Sequence, residues 1–147
     1  MNVNVIVSAC LAGMPCRYDG RSNANDIIIR LARSGGAVLA CPELLGGLSV
    51  PRTPCEIFHG RVFDAHGCDK TDQFMQGARM ALDMALAHGC TTAILKARSP
   101  SCGYGCIYDG TFRHALMPGS GFFASLLEKA GLRIFTEEDA ASHLDML

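Results

Sequence analysis

Cys10, Cys41 and Cys102 each stand shortly after an apolar run of strand type, and Glu43 follows two residues after the second of them. Thiolates bind soft metals and iron–sulfur clusters, and a thiolate of lowered pKa is also a nucleophile. Ser99 and Ser101 flank Pro100 just before Cys102, so either hydroxyl could hold a water, or cap its own turn, beside that sulfur. The chain carries eight cysteines, none paired at the C-x2-C spacing of a structural zinc arm: Cys10 and Cys16 read C-x5-C, and Cys102 and Cys106 read C-x3-C. Taken singly, a free cysteine is usually a small buried hydrophobe. Ligands scattered in sequence but gathered by folding imply a site embedded in the structure. Three thiolates would leave a metal or cluster one open position, as a catalytic centre requires.

The elements that would gather them can be read from hydrophobic pattern. Val3 to Val7 is a β-branched strand ending at Ser8-Ala9-Cys10, and the turn-rich loop Leu11 to Ser22 follows. Asn23 or Asn25 caps a helix with Ile27, Ile28, Leu31 and Ala32 on one face, ended by Gly35-Gly36. Ala37 to Ala40 is a second strand, with Cys41 directly after it. The stretch PELLGGLSVPRTPCEIF reads as extended loop, leading to a small hairpin of Glu56–Phe58 and Arg61–Phe63. Phe74, Ala78, Leu82 and Leu86 recur every four residues, with Met75 and Ala85 widening the stripe, which predicts a helix over Thr71 to His88. Ala93 to Leu95 is a third strand and runs into a long ordered loop, Lys96 to Gly110, shaped by Tyr108 and Asp109. Gly121 to Ala130 is helical, Arg133 to Phe135 is a fourth strand, and Thr136 caps a last helix with Glu137, Glu138 and Asp139 in its first turn. Alternating strands and helices predict an α/β fold, three-layered and Rossmann-like, with a mainly parallel sheet and residues 1–147 in a single domain. The three cysteines then share the carboxyl edge of that sheet, where open α/β sheets bind ligands.

Composition narrows the function classes. A hydrophobic share of 49% supports one core, and a net charge of −1 gives no electrostatic case for nucleic acid. Val3 to Val7 is too short for a signal peptide or a membrane span, so a cytoplasmic protein is expected, in which cysteines serve metals or catalysis rather than a disulfide framework. His59, His66, His88, His114 and His143 form no close pair, so no ligand role falls to histidine.

Three blocks, SACLAGMPCRYDG (Ser8 to Gly20), CPELLGGLSVPR (Cys41 to Arg52) and LKARSPSCG…IYDGTF (Leu95 to Phe112), resemble the bacterial family known as domain of unknown function 523, whose characterised members are thiouracil desulfidases. The resemblance runs from Ser8 to about Phe135. It implies an oxygen-sensitive [4Fe–4S] cluster held by three cysteines, the fourth iron open to the substrate's sulfur, and a glutamate and a serine that handle the attacking water. It therefore implies non-redox desulfuration of a thiolated pyrimidine, giving the oxo base and hydrosulfide. Four block cysteines, Cys10, Cys16, Cys41 and Cys102, compete for three ligand places. Cys10, Cys41 and Cys102 are chosen because each follows a strand, with Cys16 in reserve.

Glu43 is the candidate proton acceptor, with a loop carboxylate paired to arginine as its structural alternative, and Ser99 and Ser101 are the candidate water-holding hydroxyls. Lys96, Arg98, Arg17 and Arg52 are candidates for orienting the base or an attached phosphate, and Tyr18 could stack on a pyrimidine or simply pack. Cys55 replaces a small apolar family position, Cys68 reads as a loop residue and Cys90 as buried after its helix, while Cys106 sits close to the site. GFFASLL is bulkier than the family pattern, which bears on pocket size. Two other classes use the same cysteines: a non-catalytic iron–sulfur or zinc sensor closed by Cys16, and a metal-free enzyme with Cys102 as nucleophile.

Overall fold

The structure is a computed structural model that describes residues 4–143. Four short strands form its central sheet: β1 (Val5–Ser8), β2 (Ala37–Ala40), β5 (Thr92–Leu95) and β8 (Arg133–Thr136), hydrogen-bonded in the order β2-β1-β5-β8. All neighbours are parallel, with Ser8 opposite Ala40 and Leu95 opposite Thr136, so the carboxyl ends of the strands line up along one edge. Val3, the expected start of β1, lies outside the described residues.

Both faces of this sheet are covered, which is why its strands read as nearly continuous apolar runs. Side chains alternate across the pleat. Ile6, Ala93 and Leu95 pack against Ala78, Ala81 and Ala85 of α3 (Thr71–Ala87) and Phe123 and Leu127 of α4 (Phe122–Lys129). Val5, Val7 and Ile94 pack on the other face against Ile28 of α1 (Asp26–Arg33) and Ala140 of α5 (Glu137–His143). The predicted three-layer, Rossmann-like α/β fold with a parallel sheet is the fold observed. Among the described residues no helix is long and apolar enough to cross a membrane.

Local chemistry explains the boundaries. Asn25, not Asn23, caps α1, its side-chain oxygen accepting from the N–H of Ile27 and Ile28 at 3.1 and 3.3 Å. Thr136 and Asp139 cap α5 reciprocally: the Thr136 hydroxyl accepts from Glu138 N–H, and Asp139 accepts from Thr136 N–H.

Four elements differ from the sequence expectation. β1 continues into a 3-10 turn, Ala9–Ala12. The supposed extended loop after Cys41 starts with a one-turn helix, α2 (Pro42–Leu45), whose first residue is the proline that suits a helix start. Leu86 of α3 is 54% exposed, because the buried stripe runs through Phe74, Gly77, Ala78, Ala81 and Ala85. Small residues there let α2 and α4 approach closely. The long loop after β5 contains a second hairpin, β6 (Cys106–Tyr108) with β7 (Leu116–Pro118), beside the expected first one, β3 (Cys55–Phe58) with β4 (Arg61–Asp64). Its strands are three residues each and β7 is wholly exposed, so it left no alternating pattern to read.

Candidate active site

A cavity of about 620 Å³ opens at the carboxyl edge of the sheet. Its walls include Cys10, Cys16, Cys41 and Cys102, with Glu43, Ser99 and Ser101. Strand register explains the gathering: Ser8, Ala40 and Leu95 end neighbouring parallel strands, and the chain turns out of the sheet just beyond each.

The four thiols are not equivalent. Cys10 accepts from the Asn23 amide nitrogen at 3.3 Å. Cys41 is met by the backbone N–H of Leu44, and the buried Cys102 by the Ser8 hydroxyl. Each of these three sulfurs thus has a donor of its own, the environment of a sulfur that carries negative charge. Cys16 is buried with its thiol shared between Cys10 and Cys41. That contact lowers the Cys10 thiol, helped by Asn23 and opposed by burial, and brings Cys41 down to about 7. Donating to both neighbours pushes Cys16 upward, and burial pushes up Cys102. Cys55, elsewhere on the cavity wall, is raised to about 12 by burial and by the Glu43 charge. In cluster-free protein Cys41, lowered by the Cys16 contact, carries more thiolate at pH 7 than Cys55, which burial raises. Cys41 is therefore expected to react with iodoacetamide well before Cys55, as read by peptide mass mapping.

Glu43 is held from both sides. Its Oε1 accepts from Arg52 Nε at 3.1 Å, and the Arg52 terminal nitrogen lies 3.1 Å from the same oxygen. Its Oε2 accepts from the Ser101 hydroxyl at 2.8 Å. Arg52 also donates to the carbonyls of Ser49 and Cys16, so its guanidinium fixes Glu43 to the Cys16 loop. The arginine pairing weighed as the structural alternative for Glu43 is present, and it lies on the cavity wall beside a serine.

The two serines divide their tasks. Ser99 Oγ accepts from the N–H of Ser101 and Cys102 at 3.1 and 3.0 Å, which leaves its proton for Ser101 Oγ, 2.9 Å away. Ser101, 1% exposed, in turn donates to Glu43. The hydroxyls form one directed chain ending on the carboxylate, with Ser99 as the half-buried member nearer the opening. The N–H groups of Phe123 and Ala124 at the start of α4 fasten the Ser101 carbonyl, at 2.9 and 3.2 Å. The bulky Phe123 faces the core, and no residue of GFFASLL lines the cavity, so that stretch does not set pocket size.

Position of Glu43 depends on two glycines. A Cβ at Gly77, in the middle of α3, would lie 1.8 Å from the Pro42 carbonyl oxygen, and one at Gly46 would lie 2.0 Å from the Gln73 carbonyl oxygen. Glycine there costs α3 about 0.5–1 kcal/mol against alanine, and it lets α2 lie directly on the helix backbone. Gly77→Ala is expected to lower stability by about 2–3 kcal/mol through overpacking, despite the better helix propensity. Activity should fall with it as Glu43 is displaced; a rise in Tm would show that the contact is slack.

The basic candidates have protein partners. Lys96 lies 3.1 Å from Glu137, Arg98 3.0 Å from Glu138, and Arg17 3.1 Å from Asp19 while also bonding Asn23. Tyr18 is 42% exposed and lies under the Arg17 guanidinium. Cys68 is exposed, Cys90 buried, and Cys106 opens β6 away from the cavity lining. His114 lines the cavity, while the side chain of His143 lies outside the described residues. Sequence reasoning missed Asn23, Ser8 and His114. Only Asn23 left a signal, as one of two asparagines competing for a single cap.

No three His, Cys, Asp or Glu side chains among the described residues gather tightly enough to share one metal ion. A cubane cluster does not need that, because each of its protein sulfurs sits on a separate iron. Four thiols on three loops, three of them individually supplied with donors, fit such a group.

A Rossmann-like sheet edge bearing clustered thiols beside a glutamate–serine pair defines an enzyme site of the cysteine-held cofactor type. The chain belongs to the 2-thiouracil desulfurase family, whose model matches residues 5–139. It is 43% identical over 145 residues to the uncharacterized protein YbbK of Bacillus subtilis (strain 168), covering 92% of this chain and 96% of that one. The solved structure of TudS, a [4Fe-4S]-dependent thiouracil desulfidase, is 41% identical and superposes with a TM-score of 0.90, covering 98% of this chain and 99% of TudS.

Proposed function

We propose that this chain is a [4Fe–4S]-dependent desulfidase that exchanges the sulfur of a thiolated pyrimidine for oxygen without net electron transfer. One observation carries the reading: the hydrogen-bonded Glu43–Ser101 pair opens onto the same cavity as three sulfurs that each have their own donor. Cys10, Cys41 and Cys102 would hold the cluster. Cys16, buried between Cys10 and Cys41, stays outside this ligand set in the open-site reading, whereas a sensor would use it as a fourth ligand.

Bound there, the cluster supplies a sulfur-seeking Lewis-acid iron with a free coordination position. Glu43 accepts a proton from water as its oxygen attacks the ring carbon. Arg52 holds the carboxylate in place, and Ser101 steadies its second oxygen. Ser99, whose oxygen accepts two backbone N–H groups and whose proton goes to Ser101, orders the hydroxyl chain, while Ser101 acts through the carboxylate. The C–O bond forms and the C–S bond breaks with its electrons going to sulfur. Glu43 returns its proton to that sulfur, giving hydrosulfide, and the second proton of the water leaves the new oxygen for solvent as the carbonyl forms. The comparison with TudS and the family match support this reading. The described chain works as one domain, in the reducing cytoplasm that keeps its thiols free.

The test is anaerobic purification and reconstitution, followed by iron and sulfide analysis and an assay for hydrosulfide released from 2-thiouracil. About four irons and four sulfides per chain with hydrosulfide release support the proposal. No iron under anaerobic conditions, or zinc in its place, overturns it.

A further inference from the structure

The cavity has a wall that the chemistry above leaves unused: the loop joining β6 to β7. Phe112 and His114 both line the cavity from this loop, and both hold left-handed backbone angles, φ 58° and 57°, that side chains other than glycine rarely adopt. Such strain persists only where surrounding structure enforces it. The enforcement here is Glu56 of β3. Its Oε1 accepts from the backbone N–H of Gly110 and of Phe112, at 3.0 and 3.1 Å, tying the second hairpin to the first. His114 is further set edge-on to Tyr108, with ring centroids 6.0 Å apart. Phe112 is nevertheless 36% exposed, so its position is not explained by burial in the core.

The basic groups on the wall are already engaged. Lys96, Arg98, Arg17 and Arg52 each face a carboxylate. Of the other aromatic side chains on the wall, Tyr18 lies under the Arg17 guanidinium and Tyr108 meets the His114 ring edge-on. Among the described residues Phe112 has no such partner ring or cation, and an imidazole offers both a donor and an acceptor nitrogen. A thiopyrimidine presents a flat π face and an edge on which a ring N–H sits beside a carbonyl.

We infer that Phe112 and His114, held by Glu56, form the base-recognition wall of the site, Phe112 stacking on the heterocycle and His114 hydrogen-bonding its polar edge. This rests on the desulfidase reading for the identity of the ligand. It makes the two residues determinants of specificity, without a part in bond cleavage.

Two readouts test it separately from that reading. The first is steady-state desulfuration of 2-thiouracil by the reconstituted protein. The second is binding of 2-thiouracil to the folded protein before cluster loading, followed by amide chemical shifts of the loop. Phe112→Leu is expected to raise KM about tenfold, the loss of one base–aromatic stack, with kcat and iron content unchanged, and Phe112→Tyr to restore it. His114→Leu should raise KM with a larger penalty for 2-thiouracil than for an analogue methylated at the ring nitrogen. Tyr18→Leu should leave KM within twofold of wild type. An active wild type whose KM is indifferent to Phe112→Leu and His114→Leu, or which responds to Tyr18→Leu instead, overturns the inference and leaves the desulfidase reading standing. An inactive wild type whose loop amides still shift with 2-thiouracil, with the shift lost in Phe112→Leu, sinks the desulfidase reading and supports the wall. Loss of loop shifts in wild type as well overturns the wall.

Discussion

Glu43→Gln is expected to lower kcat by about 10²–10⁴-fold, the range for removing a positioned general base, while iron and sulfide content stay at wild-type levels. Glutamine has nearly the same shape and keeps an oxygen that can accept from Arg52 or Ser101, so the wall of the cavity should survive. What it cannot do is take a proton from water. KM should change little, because the loss falls on the chemical step. Glu43→Asp offers a finer test. Shortening the side chain by one methylene withdraws the carboxylate from Ser101, now 2.8 Å away, so a base remains but its position does not. It should retain more activity than the glutamine variant. A kcat for Glu43→Gln within a few-fold of wild type would assign Glu43 to structure alone, as the ion-pair partner of Arg52.

The second large effect concerns the sulfurs. Cys10→Ser, Cys41→Ser and Cys102→Ser should each abolish cluster retention after anaerobic reconstitution, and hydrosulfide release with it. Cys16→Ser should keep about four irons per chain. The distinction follows from hydrogen bonding. Asn23, Leu44 and Ser8 supply donors to the first three, whereas Cys16 is itself the donor to two of them. Serine at position 16 can still donate in that way, so the visible spectrum should shift only slightly. Loss of iron in Cys16→Ser, with retention in one of the other three, would show that the ligand set has been misassigned and that Cys16 takes that place.

The sheet was legible because strands buried on both faces announce themselves as short β-branched and apolar runs between helices, as Val5 to Val7 and Ala93 to Leu95 do. Placement of Cys10, Cys41 and Cys102 near one edge followed from parallel pairing alone. Elements whose stability comes from partners were not legible. α2 is a single turn, and its helical form depends on contact with the Gly77 backbone of α3. The β6–β7 hairpin has no periodic pattern, and Glu56, far away in sequence, fixes its loop. Leu86 followed the four-residue repeat but stands in solvent, because a helix packed through glycine and alanine turns its closest face to its neighbours. The same reasoning explains the serines. Both sit in one turn, and only the fold, by bringing Glu43 against Ser101, tells the two hydroxyls apart.

The strand order β2-β1-β5-β8 also orders events during synthesis. A nascent chain that has emerged through Cys41 can pair β1 with β2 and bring Cys10 and Cys41 side by side. The third sulfur cannot join them until β5 has docked on the other flank of β1. Iron offered to a growing chain would thus find the proposed ligand set incomplete until β5 has emerged.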